Sequence, residues 1–439
     1  MINFLRKITP DWIIKIYHYK MAVLANIWCG FPARKMRIFG ITGTNGKTTT
    51  CFLLASILRE SGKKVGMLTT VRFQIGDKTI VNKLNMTTVN PFMLQKYLKQ
   101  MLQAGCTDVV LETTSHAIDQ YRVWGIPYFA VGITNVTHEH LDYHKSMDEY
   151  AAVKRKIFDN HTGLAVLNMD DEKFSEFSKT PARRKIVYSI KHKDADIYAR
   201  KVLSEPSGTL FTLVEPHGQQ AIDLQLPGEF NVQNALCAAA FAYGLNLPVA
   251  IVKKGLENVK SVPGRMELVN LPEVPGRMNF SVIIDYAHTP DALRKVLETL
   301  RQSLKGKLIT VYGATGDRDK SKRPILGSIG GKYADVVIIT DEESYSEDPQ
   351  AIIDQVASGV EKGATEERPK KLGESFFKIK NRMEAIDKAV SIAGSGDVVI
   401  ITGMGDQRYK VVKGQKLPWS DREIVLASLR KRGDLRRKN

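Results

Sequence analysis

The sequence predicts an α/β fold made of two open, mostly parallel sheets, each covered by helices on both faces. Two observations predict it. From Lys35 onward, short apolar runs rich in Val and Ile alternate with longer stretches of helical pattern, which is how strands buried on both faces and their crossover helices read in sequence. The apolar pattern then pauses at Ser261-Val262-Pro263-Gly264 and restarts near Val282, so Pro and Gly mark a join between two such units. A length of 439 residues agrees, because it exceeds what one hydrophobic core usually organises.

The first 34 residues stand apart. Trp12, Ile13, Ile14, Ile16, Tyr17, Met21, Leu24 and Ile27 form a mainly apolar helical stretch flanked by Arg6, Lys7, Lys15 and Lys20. It reads as a helix packed on the first α/β unit, with a membrane-surface helix as the alternative. The strands of the first unit are expected at 36–42, 65–70, 108–112, 129–134 and 164–168, and those of the second at 282–285, 308–313, 336–340 and 398–402. In open α/β sheets ligands sit outside the carboxyl ends of the strands, so the polar residues just after each run are the ones to read for chemistry.

Composition narrows the class. Hydrophobic residues make up 43% and charged residues 25%, an ordinary water-soluble balance. No apolar run reaches the length of a spanning helix, and the N-terminus lacks a signal-peptide pattern, so a cytoplasmic location is expected. Cys29, Cys51, Cys106 and Cys237 are scattered without a CxxC pair, which reads as reduced thiols rather than a zinc or redox site. A net charge of +17 favours an anionic partner: nucleic acid, anionic lipid or a phosphorylated small molecule. No nucleic-acid-binding motif accompanies the basic tail around Arg430–Lys438, which reads as a solvated end.

Gly43-Thr44-Asn45-Gly46-Lys47-Thr48-Thr49 follows the first strand and opens a helix that continues through Phe52, Leu53, Leu54 and Ile57. A strand, loop and helix of this kind aims backbone N–H groups and the positive helix end at phosphate, while a lysine and a hydroxyl reach the terminal phosphates and magnesium. The residues therefore point to an ATP site. The glycine spacing is two residues shorter than in the usual GxxxxGK[ST] loop. It resembles instead the TGTNGKTT loop of the Mur ligases, a family related to folylpolyglutamate synthase.

Three further segments are similar to the MurE type of that family. Leu111-Glu112-Thr113-Thr114-Ser115-His116 stands where those enzymes have an E-V-S-S-H run, and residues 134–144 resemble their TN…DHLDYH segment. Tyr150-Ala151-Ala152-Val153-Lys154 is similar to the Y-x-A-x-K helix whose lysine is carbamylated. The resemblance covers about residues 20 to 425 and implies that Thr48, Glu112, His140 and carbamylated Lys154 hold Mg2+, with Lys47, Lys154, His140 and Glu112 as the catalytic set. The chemistry suits those residue types. A carboxylate approaching a polyanion needs a cation between them, and a lysine ammonium would repel that cation, whereas a carbamate supplies the oxygen ligand magnesium prefers. Taken singly, each residue also has an ordinary reading: a strand-end charge, a loop histidine, a solvated lysine.

The resemblance continues around the nucleotide. Gly228-Glu229-Phe230-Asn231-Val232-Gln233-Asn234 is similar to G-x-F-N-x-x-N, which implies Asn231 and Asn234 beside the adenine, although Asn231 also reads as a helix N-cap. Gly264-Arg265-Met266-Glu267 resembles the G-R-x-E join, and residues 285–291 resemble DYAHTPD, which adds Arg265, Asp285 and His288 to the nucleotide site. Gly313–Asp319 with Lys322-Arg323-Pro324 resembles GxGGDRDxxKRP, in which Arg318 would grip the α-carboxylate of an amino acid. For the acceptor, the matching positions are Thr87, Thr88, Ser115, Gln120 and Arg122, with Val89 in place of a proline.

The expected organisation is thus an N-terminal helical segment (1–35), a P-loop-type central ATPase domain with a parallel sheet (36–260) and a C-terminal Rossmann-like α/β domain that takes the amino acid (261–439). The implied activity joins an amino acid to a muramyl-dipeptide-like carboxylate through an acyl phosphate, using ATP and Mg2+. The rivals are a related amide ligase acting on a folate or another carrier-linked peptide, and a nucleic-acid-stimulated ATPase. MurE-type enzymes carry a UDP-binding domain before the ATPase domain, whereas the phosphate loop here begins at Gly43. The expectation is either a partner protein in its place, or a substrate without tight UDP contacts, lipid-linked and met through the first 30 residues.

The added amino acid is expected not to be meso-diaminopimelate. Enzymes that use it carry a D-N-P-R motif before S-E-D-P, and the four positions before Ser346-Glu347-Asp348-Pro349 are Glu342, Glu343, Ser344 and Tyr345. Without the arginine a buried distal carboxylate is left unpaired. Glu342 and Glu343 favour a cationic side chain, lysine or ornithine. In the loop that also faces the amino acid, Gly403-Met404-Gly405-Asp406-Gln407, Gln407 replaces the glutamate of G-K-G-H-E.

Overall fold

The computed structural model describes residues 10–84, 86–139, 143–159, 162–205, 208–269, 279–412 and 414–437. It opens with helix α1 (Asp11–Cys29), which stops at Gly30 in the left-handed region, φ 74°, a conformation glycine adopts without strain. The first sheet is then laid down by β1 (Arg37–Thr42), α2 (Lys47–Glu60), β2 (Val65–Leu68), the hairpin β3 (Arg72–Ile75) and β4 (Lys78–Val81), α3 (Pro91–Gln103), β5 (Asp108–Glu112) and α4 (Ser115–Asp119). It is completed by β6 (Tyr128–Ile133), α5 (Met147–Arg155), β7 (Leu164–Asn168), α6 (Phe174–Phe177), β8 (Arg184–Ser189) and the meander β9 (Ile197–Glu205), β10 (Gly208–Glu215) and β11 (Gly218–Leu224), followed by α7 (Glu229–Gly244) and α8 (Val249–Glu257).

The second sheet takes β12 (Glu267–Leu268), β13 (Ser281–Ile284), α9 (Pro290–Ser303), β14 (Leu308–Tyr312), α10 (Lys322–Tyr333), β15 (Val336–Ile339), α11 (Pro349–Val360), β16 (Phe376–Lys378), α12 (Arg382–Ile392) and β17 (Val398–Ile401). A separate hairpin, β18 (Tyr409–Val412) and β19 (Gln415–Pro418), precedes α13 (Asp421–Arg437). The strand orders are β11-β10-β9-β8-β7-β6-β1-β5-β2-β3-β4 and β12-β13-β17-β14-β15-β16. Every strand expected from the sequence is present within two residues of its expected bounds. Those the sequence did not predict, chiefly β3, β4 and β8–β11, lie towards the margins, where exposed positions break up the apolar run.

Burial on both faces explains the continuous apolar strands. Phe39 and Ile41 of β1 pack into one core cluster and Ile38 into the cluster on the opposite face, all of them without solvent exposure. Each such side chain contributes about 1.5–3 kcal/mol by leaving water. The same division holds in the second sheet, with Ile400 on one side and Val399 and Ile401 on the other.

Register then positions the site. Parallel pairing sets Ile41 of β1 opposite Glu112 of β5, and Thr42 opposite Ile133 of β6. The loop after β1, the carboxylate ending β5 and the segment after β6 therefore share one edge, the carboxyl-end crevice where an open sheet binds ligands.

Candidate active site

The loop between β1 and α2 is held by close approach. A Cβ at Gly43 would stand 1.9 Å from Thr134 Oγ1, and one at Gly46, whose φ is 83°, would stand 2.1 Å from Asn234 Oδ1. Only glycine fits either position without a shift. Thr44 N–H donates to the Asn135 carbonyl at 2.8 Å and Asn45 N–H to Asn135 Oδ1 at 2.9 Å. Lys47 Nζ curls back on the carbonyls of Gly43 (3.0 Å) and Thr44 (2.7 Å). Burial lowers its pKa, against the opposing pull of Glu112 and Glu139.

Glu112 is buried behind this loop. Thr48 Oγ1 lies 3.0 Å from both of its carboxylate oxygens, Thr70 N–H donates to it at 2.8 Å and Thr70 Oγ1 at 3.0 Å. Thr49 is buried one position further along the helix. Lys154 Nζ, also buried, donates to the Gly43 carbonyl at 2.8 Å. Its pKa is held well below the usual lysine range by burial first and by Lys47 second. His140 lies outside the described residues.

The donor set fits magnesium in part. Thr48 and Glu112 supply the one or two hard protein oxygens that magnesium takes beside phosphate and water. Among the described residues no group of three His, Cys, Asp or Glu side chains could hold a metal ion, and an uncarbamylated Lys154 offers nitrogen rather than oxygen.

The second unit closes the cleft. Arg265 reaches Thr48 Oγ1 at 3.5 Å with its guanidinium 4.4 Å over the Tyr286 ring. Asp285 accepts from Met266 N–H (2.6 Å) and Ala287 N–H (2.7 Å), and burial raises its pKa despite Arg265. His288 Nε2 meets Glu139 Oε1 at 2.9 Å, and Asn45 Nδ2 donates to Asp291 at 3.2 Å. Asn231 is not a helix N-cap. Gly228 holds that position in α7, while Asn231 Nδ2 donates to the Pro227 carbonyl at 2.7 Å and its Oδ1 accepts from Asn234 at 3.1 Å. One cavity of about 390 Å³ takes in Thr44 to Thr49, Glu112, Asn231, Asn234, Arg265, Asp285, His288 and Arg318.

Thr87, Thr88 and Arg122 line the same cavity. Thr88 Oγ1 donates to the Glu112 carbonyl at 2.9 Å, Arg122 to the Thr88 carbonyl at 2.8 Å, and Gln120 Oε1 accepts from Arg122 at 2.6 Å. Ser115 stands behind this wall, with Oγ 3.1 Å from His144 Nε2.

Arg318 is shared with a second cavity of about 170 Å³, which also gathers Glu342, Glu343, Tyr345, Gly403 and Gln407. Thr315 Oγ1 donates to Glu342 Oε1 at 2.8 Å. The other Glu342 oxygen, Oε2, and Gln407 Oε1 are buried acceptors without a hydrogen-bond partner among the described residues. Glu343 is pushed up to about 7 by burial and by Glu342, although Val411 N–H and the Gln407 amide donate to it.

Residues 41–242 match the Mur ligase middle domain and residues 264–405 the Mur ligase glutamate ligase domain. The chain belongs to the Mur ligase family. It is similar to the UDP-N-acetylmuramoyl-L-alanyl-D-glutamate–2,6-diaminopimelate ligases of Geobacillus thermodenitrificans (37% identity, 94% of this chain and 82% of the relative) and Clostridium tetani (37%, 92% and 80%). A solved structure of a ligase of that name superposes with a TM-score of 0.62 at 29% identity, covering 90% of this chain and 79% of that one. Mycobacterium tuberculosis folylpolyglutamate synthase complexed with ADP shares the fold, with a TM-score of 0.69 at 19% identity over 88% and 91%. This Mur ligase is therefore an ATP-dependent, amide-forming ligase of the MurE type.

Several residues of the Mur ligase cleft escaped the sequence reading. Thr70 ends the run that begins at Val65, so the strand-end rule points to it. Glu139 and Tyr286 lie inside the motifs quoted above. Thr315 has no such signal beyond its place in the Gly313–Asp319 run.

Proposed function

We propose that the chain joins an amino acid to a free carboxylate of the D-glutamate of UDP-MurNAc-L-Ala-D-Glu or a close analogue by way of an acyl phosphate, as a step in making peptidoglycan precursor. The observation that carries the reading is the contact of Thr48 with Glu112 at the edge where the loop N–H groups, Lys47 and Arg265 also converge. The relatives' names supply the acceptor.

In this reading the acceptor carboxylate attacks the γ-phosphorus of ATP, the bond to the β-phosphate oxygen breaks and ADP leaves. The amine of the amino acid then attacks the acyl carbon and phosphate departs, the amine giving up its proton. Lys47 turns from the Gly43 and Thr44 carbonyls to the phosphates, and the loop N–H groups and Arg265 offset charge that grows on the transferring group; this is positioning and electrostatics. Thr48 and Glu112, with His140 and a carbamylated Lys154, would hold Mg2+. When bound, the ion screens the two anions from each other and polarises phosphorus. Asn231 and Asn234 face the base, and Asp285 and His288 order the join over the nucleotide. Thr87, Thr88 and Arg122 form the acceptor wall, with Gln120 and Ser115 supporting it from behind. The division 1–35, 36–260 and 261–439 follows these roles.

Arg318 takes the α-carboxylate of the incoming amino acid, and its side chain enters the acidic cavity between Gly403, Gln407 and the two glutamates. An ammonium group carries three donors, and Glu342 Oε2 and Gln407 Oε1 are two buried acceptors awaiting them. This favours lysine or ornithine. The second reading is diaminopimelate, the amino acid in the relatives' names; its distal carboxylate would meet Tyr345, the position that corresponds to the arginine of D-N-P-R. A product assay with the muramyl dipeptide nucleotide, ATP and each amino acid in turn tests both. Lysine or ornithine incorporation supports the proposal, and preferential meso-diaminopimelate incorporation selects the second reading. ATP hydrolysis stimulated by DNA or RNA, with no amide product, rejects both.

A further inference from the structure

Helix α1 is built inside out. Its buried side is small and polar, with Ala22, Ala25 and Asn26 against the body of the protein. Its large apolar side chains point away: Trp12 is 63% exposed, Ile16 45%, Tyr17 57%, Leu24 53%, Ile27 60% and Trp28 82%. At 100° per residue these six fall within one arc about 160° wide that also carries the exposed Lys20, an apolar face of a kind that marks an interaction surface.

Charge says what covers it. Residues 12–35 contain no Asp or Glu, and neither does α3 (Pro91–Gln103), on which α1 packs. The two segments present Lys20, Arg34, Lys35, Lys96 and Lys99 to solvent. A second copy docking here would set lysines against lysines. An apolar stripe that carries tryptophan and tyrosine and has Lys20 within it, on a segment without acidic residues from 12 to 35, fits the headgroup boundary of an anionic bilayer. The described helices include none long and apolar enough to cross a membrane, so the helix would lie along the surface.

We propose that α1 seats this protein on an anionic lipid surface. The helix is clamped to the acceptor side of the cleft: Asn26 Nδ2 donates to the Trp124 carbonyl at 3.0 Å, the Tyr19 ring meets that of Trp124 edge-on at 5.2 Å, and Lys15 pairs with Asp119 at 3.5 Å. Binding through the outer face of α1 therefore holds the Asp119–Gly125 segment about one helix diameter, ~10 Å, from the bilayer. The role of that segment as the acceptor side rests on the ligase reading; the lipid binding does not.

The test is co-sedimentation of the full chain with vesicles of phosphatidylcholine containing one-third phosphatidylglycerol, and with phosphatidylcholine alone. Binding is expected only to the anionic vesicles, weakening with salt, with Trp fluorescence quenched by brominated lipid. Ile16→Ser combined with Ile27→Ser is expected to cut binding about tenfold or more at an unchanged melting temperature. No sedimentation with anionic vesicles, or undiminished binding by the double variant, overturns the proposal. So does a dimer in gel filtration that the same substitutions dissociate. The quenching measurement needs no variant and holds if the substitutions disturb folding.

Discussion

Lys154 and Lys47 donate to the same acceptor, the Gly43 carbonyl oxygen, at 2.8 and 3.0 Å. Two buried ammonium groups on one carbonyl repel each other, and burial together with Lys47 holds the Lys154 pKa well below that of an ordinary lysine. The neutral amine, the form that adds CO2, is thereby favoured. Lys154→Ala is expected to lower turnover by about 10²-fold or more, with partial rescue by acetate or formate. Loss of activity on removing bicarbonate, and its return with carbon-13-labelled bicarbonate giving a carbamate NMR signal, checks the modification itself.

Glu343 makes the amino-acid site sensitive to pH. Its pKa near 7 in the folded chain lies above that of the unfolded chain, so the folded form binds more protons between the two values. The stability that a protonated Glu343 contributes is lost as pH rises through about 7. A cationic substrate needs the ionised form, so its KM is expected to rise as pH falls below about 7. Glu343→Gln should flatten that profile and raise KM about tenfold, read from initial rates at fixed saturating ATP.

How far the site could be read from sequence depended on where the residues sit. The strands that carry the loop, Glu112 and the second sheet were legible because strands buried on both faces leave unbroken Val and Ile runs. The hairpin β18–β19 was not, since its two four-residue strands are half-buried or exposed and mix Val and Leu with Lys and Gln. Yet Val411 N–H binds Glu343, and Tyr409 Oη donates to the Leu84 carbonyl at 2.9 Å, joining the two units. Contacts between segments over 300 residues apart leave no local pattern. The members of the Glu112 cradle were legible, Thr48 from the loop and Thr70 from the end of the run that begins at Val65, whereas their joint contact with Glu112 comes from the pairing of β2 with β5.

Tyr345 tests the choice of amino acid. It lines the cavity at the motif's arginine position. Tyr345→Arg is expected to improve kcat/KM for meso-diaminopimelate about tenfold or more by pairing its distal carboxylate, and to weaken lysine use. Equal rates in both proteins would remove Tyr345 from specificity.

Arg382 and Asp421 form a fully buried bidentate pair, at 2.9 and 2.7 Å, and Arg382 also donates to the Thr402 carbonyl at 2.8 Å, next to Gly403. Removing one partner strands a charge, so Asp421→Ala is expected to cost about 3–5 kcal/mol in urea unfolding. An unchanged midpoint would contradict this.

The acyl phosphate is the centre of the account, and oxygen-18 reports on it most directly. The acceptor is labelled in its reacting carboxylate, the reaction is run with ATP and the preferred amino acid, and the released phosphate is analysed by mass spectrometry. The account predicts one labelled oxygen in each phosphate, carried over when the amine displaces it from the acyl carbon. Phosphate without label would mean that ATP is hydrolysed by water and would contradict the mechanism.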